Sequence, residues 1–289
     1  INKTSLSSIR NEYSELDAKI ATLQIRVQKI RDRKYAYNKI TEKEVEAFRR
    51  EWASKKVMVQ NQITAEANTL RNGLRPLEVR VAGLRPGISA GAQVSTVKVE
   101  LDNYESKVSS AESAMRELYY GTKTEVDKLV SILEKVESTL DHCDAATFGF
   151  LPGESVVMAV KTVWARDGKE DKTDPEGILF LTDQRLLFEQ KQEIATKKVL
   201  FVTTERELVQ KLLFEVPVAS IESVKPTKQG VFKNEDWLEL VFASGSFDRQ
   251  AKLHLDGQDC NEWQKLISKV KNHEIDSDRR EGQGEVGEI

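Results

Sequence analysis

An α+β chain in two parts is predicted, a long helical half followed by a run of strands closed by one C-terminal helix. Three observations carry this. Apolar residues recur at alternating spacings of three and four from Leu6 to Leu140, the signature of helices that pack along a seam. After Asp144 that rhythm gives way to short β-branched and alternating runs, which read as strands. The last apolar stripe, Trp263, Leu266, Ile267 and Val270 behind Asp259 and Glu262, is again helical, with a capping signature at its start. A length of 289 residues suffices for two domains with cores of their own.

The first arm opens with the cleanest seam in the chain: Leu6, Ile9, Tyr13, Leu16, Ile20, Leu23, Val27 and Ile30, flanked by charged residues that suit a solvated face. A break falls near Asn38 to Thr41, and Thr41 with Glu44 marks a new helix start. Val45, Phe48, Trp52 and Val59 continue in shifted phase, and Ile63 to Leu84 restores the rhythm. Gly73 and Pro76 should kink or split that helix. Gly83 to Gly91, GLRPGISAG, is a turn; without a Gly-Lys-Ser/Thr ending or a strand before it, it does not read as a phosphate loop. A second seam runs from Val94 to Leu118 and, after a slip near Gly121, from Val126 to Leu140.

Residues 1–147 are therefore expected to form an α-helical coiled-coil hairpin turning near 83–93. The seam Leu6 to Ile30 is the candidate self-association surface, because the first arm carries the longer apolar row. Tyr119, Tyr120 and Trp52 are further candidate contact points.

Residues 148–273 form the second predicted domain. Strands are read over Glu154–Trp164, Gly177–Lys191, Lys198–Thr203, Leu213–Val216, Val218–Val224, Trp237–Ala243 and Gln250–Leu255, with a short helix over Glu205–Leu212. In Gly177–Lys191, GILFLTDQRLLFEQK, Ile178, Phe180 and Thr182 alternate with Leu179 and Leu181, so this strand needs cover on both faces. The return strand has a mostly polar side of Arg185, Leu187 and Glu189. The turn between them rests on Asp183, a residue that tolerates positive φ. Residues 274–289 are polar and glycine-containing and read as a disordered tail.

The Leu-Thr-Asp-x-Arg-Leu-Leu-Phe core of this hairpin resembles the second and third strands of the GRAM and bacterial PH-like family of pleckstrin-homology-like barrels. The resemblance covers roughly Leu151 to Asn272. It implies a small β-barrel plugged by the C-terminal helix, with Trp263 in the place where family members carry a tryptophan. Phe214 to Ile221 looks like the family's proline-containing strand entry. Lys191 to Lys211 is longer than the family pattern needs, which assigns Thr204 to Lys211 to an extra helix. The resemblance also implies a headgroup or partner site made by cations at the open end of the barrel, mainly between the first two strands. That loop carries Arg166, Lys169 and Lys172 interleaved with Asp167, Glu170, Asp171, Asp174 and Glu176, whose charges offset the attraction for a phosphate. Lys197 and Lys198, the group Lys225, Lys228 and Lys233, and Arg185 complete the candidate contacts.

Function classes are narrowed by what is missing. Lys and Arg number 44 against 47 Asp and Glu, a net charge of -3, so bulk electrostatics do not favour nucleic acid as a partner. His142, His254 and His273 are scattered, and His142-Cys143-Asp144 reads as a helix terminus rather than a metal site. No cofactor, metal or catalytic residue is expected. Cys143 and Cys260, in different candidate domains, suggest free thiols and a cytoplasmic setting. The chain begins at Ile1 rather than Met, which leaves open a segment ahead of it. The expectation is a non-enzymatic scaffold or adaptor: a coiled coil for self-association and a PH-like domain that docks a protein partner. The alternative is peripheral association with an anionic membrane, strengthened by oligomer avidity.

Overall fold

The computed structural model describes residues 6–38, 41–84, 90–199, 202–245 and 248–280, without the side chains of 90, 92, 194–199 and 202–206. The order is α1 (Ser7–Asp32), α2 (Thr41–Ala82), α3 (Ala90–Glu117), α4 (Tyr120–Asp144), β1 (Val156–Trp164), β2 (Glu176–Thr182), β3 (Arg185–Val199), β4 (Val202–Pro217), β5 (Ile221–Gln229), β6 (Glu235–Phe242), β7 (Gln250–Leu255) and α5 (Cys260–Lys271). Two compact units divide the chain: Ile1–Arg26 with Thr41–Ser131, and Val27–Ile40 with Ile132–Ile289. The expected boundary at 148 does not mark this division, because the ends of α1 and α4 belong with the strands.

In the helical unit the first arm folds back on itself. Lys34 and Asn38 take positive φ of 64° and 55°, α1 stops at Asp32, and α2 starts afresh at Thr41. Tyr13 then donates to the Lys56 carbonyl at 3.3 Å, and Trp52 Nε1 to Asp17 at 2.7 Å, as antiparallel neighbours require. On its other side α1 meets α3 and α4: Arg116 grips Glu12 at 2.9 and 3.0 Å, Tyr119 donates to Glu12 at 3.1 Å, and Lys19 reaches Asp127 at 2.8 Å. The seam offered for self-association is thus internal core. Leu6, Ile9, Leu16, Ile20, Leu23, Val27 and Ile30 are all buried, as are Trp52 and Tyr119, and Tyr13 is half-buried. Only Tyr120 of the proposed contact points is exposed. With α2 folded back along α1, the apolar row offered for self-association is covered within the chain. α2 runs unbroken through Gly73 and Pro76, whereas the second arm breaks at Leu118–Tyr119, close to the predicted slip. The turn at 85–89 lies outside the described residues.

The second unit is built on a seven-stranded antiparallel sheet in the order β4-β3-β2-β1-β7-β6-β5. β4 and β5 end the order and no pairing between them is seen among the described residues, so the paired sheet is open rather than a closed barrel. Strands followed by one amphipathic helix is the element order that the resemblance implies. α5 is capped by Asp259, which accepts from the backbone N–H groups of Asn261 and Glu262 at 2.8 and 3.1 Å, and Trp263 and Ile267 are buried beneath it. Satisfying N-terminal amides in this way starts a helix cleanly.

β2 is buried along nearly its whole length, as its two-faced apolar pattern requires. The return strand corrects its expectation, since its polar side is buried too: Glu189 accepts from the Thr147 amide at 2.7 Å and from Gln210 at 3.1 Å. In the turn, it is the Thr182 hydroxyl rather than Asp183 that organises the backbone, accepting from the Gln184 and Arg185 amides at 3.1 and 2.9 Å. Residues 204–211 are not a helix. They lie in β4, where Glu205 to Lys211 pair with β3, for example Glu193 with Leu208 and Lys191 with Gln210. Beyond Gln190, β3 has lost β2 as a neighbour and continues with β4 as a two-stranded ribbon.

The loop between α1 and α2 belongs to this unit. Arg31 holds the carbonyls of Tyr35, Tyr37 and Asn38 at 3.0, 2.6 and 2.8 Å, and the Tyr35 hydroxyl donates to Val157 O at 3.0 Å. Thr139 on α4 accepts the Ala159 amide at 2.9 Å. The start of the expected disordered tail is ordered here: Glu274–Asp278 forms a 3₁₀ turn, Arg279 donates to Ser155 at 2.8 Å, and the Arg280 amide bonds to the Ala36 carbonyl. Residues 281–289 lie outside the described residues.

Candidate docking surface

The predicted cations scatter instead of converging. Arg166 lies 5.0 Å over the Trp164 ring, and Lys169 is exposed. Asp171 and Asp174 are occupied with the loop itself, and Glu170 with β7. Asp174 accepts the amides of Arg166 and Asp171 at 3.2 and 2.8 Å, Asp171 caps Thr173 at 2.9 Å, and Glu170 meets His254 at 2.5 Å. Hydrogen bonds from the Thr173 amide and hydroxyl hold the Asp171 carboxyl below the usual carboxylate range. These contacts build a self-contained loop and assemble no phosphate clamp.

Arg185 is no surface cation at all. It is buried, with Nε and Nη2 on the two oxygens of Glu154 at 2.8 Å each, Nη2 on the Gly149 carbonyl at 2.7 Å and Nη1 on Glu215 at 2.5 Å. Four of the guanidinium's five N–H donors are thereby taken by the fold. Lys225 pairs with Glu239 at 3.2 Å, and Lys228 bridges Asp236 and Asp259 at 2.5 and 2.8 Å. Asp236, Asp259 and Cys260 are near enough to share a metal ion, but the Lys228 ammonium already sits between the carboxylates as their counter-charge. Lys197 and Lys198 are strand residues of β3 whose side chains lie outside the described residues.

Lys233 is different, because of where it stands. β5 and β6 are joined by a tight turn in which Gly230 and Lys233 have φ of 82° and 53°. Between them Val231 is 93% and Phe232 87% exposed. Glu235, whose carboxylate accepts from Trp237 Nε1 at 3.2 Å, lies so close to Gly230 that a Cβ there would meet its Oε1 at 2.8 Å. The turn is therefore shaped by positions on both sides of the apolar pair, which it holds clear of the sheet. Among the described residues Lys233 has no ion-pair partner. The reading of the sequence missed this tip because Val-Phe between two strands looks like core; only the pairing of Gln229 with Glu235 places it in the turn.

A second feature was also missed. His142, Lys161, Lys191 and His254 line a cleft of about 740 Å³ together with Glu170, Glu176, Glu193 and Asp256. Burial, then Lys161 and Lys191, push the His142 imidazole below its ordinary range. Its mixed charges make it neither an anion site nor a cation site.

No family model matches the chain, and no curated protein does. The chain is similar to the Vps36 N-terminal PH domain at 14% identity, over 44% of this chain and 86% of that one, with a TM-score of 0.30. It is similar to a pleckstrin homology domain from Shewanella amazonensis SB2B at 18% identity, over 47% and 87%, TM-score 0.28. It is also similar to the DH/PH fragment of PDZRhoGEF crystallised with human RhoA, at 12% identity over 88% and 65%, TM-score 0.29. Likeness at these scores carries no weight on function, which rests on this chain's own surface. Among the described residues no helix is long and apolar enough to cross a membrane.

Proposed function

We propose that this chain is a non-enzymatic docking protein whose PH-like sheet unit attaches to a membrane surface through the Val231–Phe232 tip. The carrying observation is the exposure of that pair at the tip of the β5–β6 hairpin. A protein interface of ordinary size needs roughly 800 Å² from each partner. A phenylalanine supplies about 200 Å², so a two-residue prominence falls well short, while a bilayer accepts a small apolar wedge without a matching pocket. The adaptor reading would need a wider apolar face; of the cations offered for it, Lys225 and Lys228 are tied to carboxylates and Arg185 is buried.

Burying Phe232 and Val231 in acyl chains stabilises attachment by at most about 3–6 kcal/mol. Lys233 adds about 1 kcal/mol on an anionic leaflet. Attachment should therefore depend more on the apolar pair than on lipid charge.

Vesicle flotation tests this, with phosphatidylcholine alone and with one fifth phosphatidylserine. The native chain is expected to float with both and somewhat more with the second. Phe232→Asp, at an exposed position, should abolish flotation with the circular dichroism unchanged, and Lys233→Glu should weaken it only on anionic vesicles. Failure of the native chain to float, or equal flotation by Phe232→Asp, overturns the membrane reading and returns the tip to a protein partner.

A further inference from the structure

We infer that two copies of this chain associate through the far end of the α2–α3 pair. Within the helical unit α1 covers α2 and α3 only as far as its first turn, where Ser8 donates to Glu112 at 3.0 Å. The last fully buried position of α2 is Leu70. Past that level α2 continues to Ala82 and α3 returns from Ala90 with no third helix over them among the described residues. The apolar seam does not stop there. Leu74, Val81, Val94, Val97 and Leu101 line a groove of about 620 Å³, and Val81 and Val94 are 45% and 49% exposed. The apolar periodicity that is buried on α2 up to Leu70 is here left half-exposed at Val81 and Val94, a state that helices relieve by pairing.

Charge identifies the occupant as a second copy. The α2 stretch Arg71–Ala82 has three arginines against Glu78, and the α3 stretch Val94–Ser106 has Glu100, Asp102 and Glu105 against Lys98. Arg80 and Glu100 pair within the chain, whereas Arg71, Arg75 and Asp102 have no ion-pair partner among the described residues. A two-fold contact sets α2 of one copy beside α3 of the other, so each arginine-bearing helix meets the partner's acidic one. Four helices then enclose one apolar core, as in an antiparallel bundle. A foreign helix could match one of these signs; a second copy matches both by symmetry.

Analytical ultracentrifugation of the full chain provides the test. The native chain is expected to sediment as a concentration-dependent dimer at micromolar levels. Val94→Glu should give a monomer with unchanged helical content, while Val57→Glu, at an exposed position on the covered part of α2, should leave the dimer intact. Arg75→Glu should weaken association about tenfold or more through like-charge contact with the partner's α3, and adding Asp102→Arg should restore it. A native monomer at all accessible concentrations overturns the inference, and so does a dimer indifferent to both Val94→Glu and Arg75→Glu. Neither result depends on whether vesicles are bound.

Discussion

At the scale of single residues, Arg185 shows how a charge beside a turn can belong to the interior. Its guanidinium binds Glu154 twice, and Glu154 has no exposed side-chain surface. Burial alone would raise the Glu154 carboxyl, but hydrogen bonds from Arg185, Thr182 and the Leu151 amide outweigh it and hold the carboxyl below its usual range. Breaking such a pair leaves Arg185 with the half-exposed Glu215 as its remaining carboxylate, at a cost of up to about 3–5 kcal/mol. Glu154→Gln should lose roughly that much stability at pH 7 in urea unfolding. The sign of the pH dependence follows from the lowered value. The ionised carboxylate stabilises the fold above the unfolded-state value of about 4.3, and that contribution fades as pH falls through the folded one. The difference between native chain and variant should therefore shrink progressively as pH falls below about 4.3. A gap that stays constant over that range would show that the pair does not act through charge. Nothing in the sequence marks this pairing, because Glu154 and Arg185 meet only when β1 and β3 flank β2.

At the scale of elements, what could be read from the sequence was what depends on periodicity. The alternation of β2 and the stripe of α5 follow from side-chain direction, while the helix start at Thr41 and the cap of α5 follow from capping residues. Partners were less legible. The seam of α1 was plain, but a heptad row does not say which helix covers it, and the left-handed Lys34 and Asn38 lie where α1 has ended and before α2 returns along it. Residues 204–211, rich in helix formers such as Glu, Leu, Gln and Lys, became strand because β3 offered a ladder along their whole length, and tertiary pairing overrides propensity. The close approach of β2 and β3 yields a prediction of its own. A Cβ on Gly177 would stand 2.0 Å from the Glu189 carbonyl oxygen and 2.8 Å from Gln190 Cα, both backbone atoms that cannot swing aside. Gly177→Ala should therefore force the two strands apart and cost about 1–3 kcal/mol, read as a lower midpoint in urea. Full stability in this variant would mean that the hairpin shifts its register without penalty.

At the scale of the whole molecule, the two proposals meet in a question of affinity. One tip offers at most about 3–6 kcal/mol of apolar burial, and the loss of freedom on binding offsets much of it. A single anchor of that size resembles one lipid chain, which holds a protein at a bilayer only marginally and reversibly. A dimer carries two tips, and once the first has inserted, the second does so at an effective concentration set by their linkage rather than by the bulk. The notion of avidity raised by the sequence thus moves from the α1 seam, which is core, to the open end of the α2–α3 pair. The expected outcome is that Val94→Glu, which leaves Val231 and Phe232 untouched, lowers vesicle affinity by a factor of about 10² or more. Restoring association with a fused dimeric coiled coil should recover it. If the monomeric variant floats as well as the native chain, each tip binds alone, and self-association serves something other than attachment to the membrane.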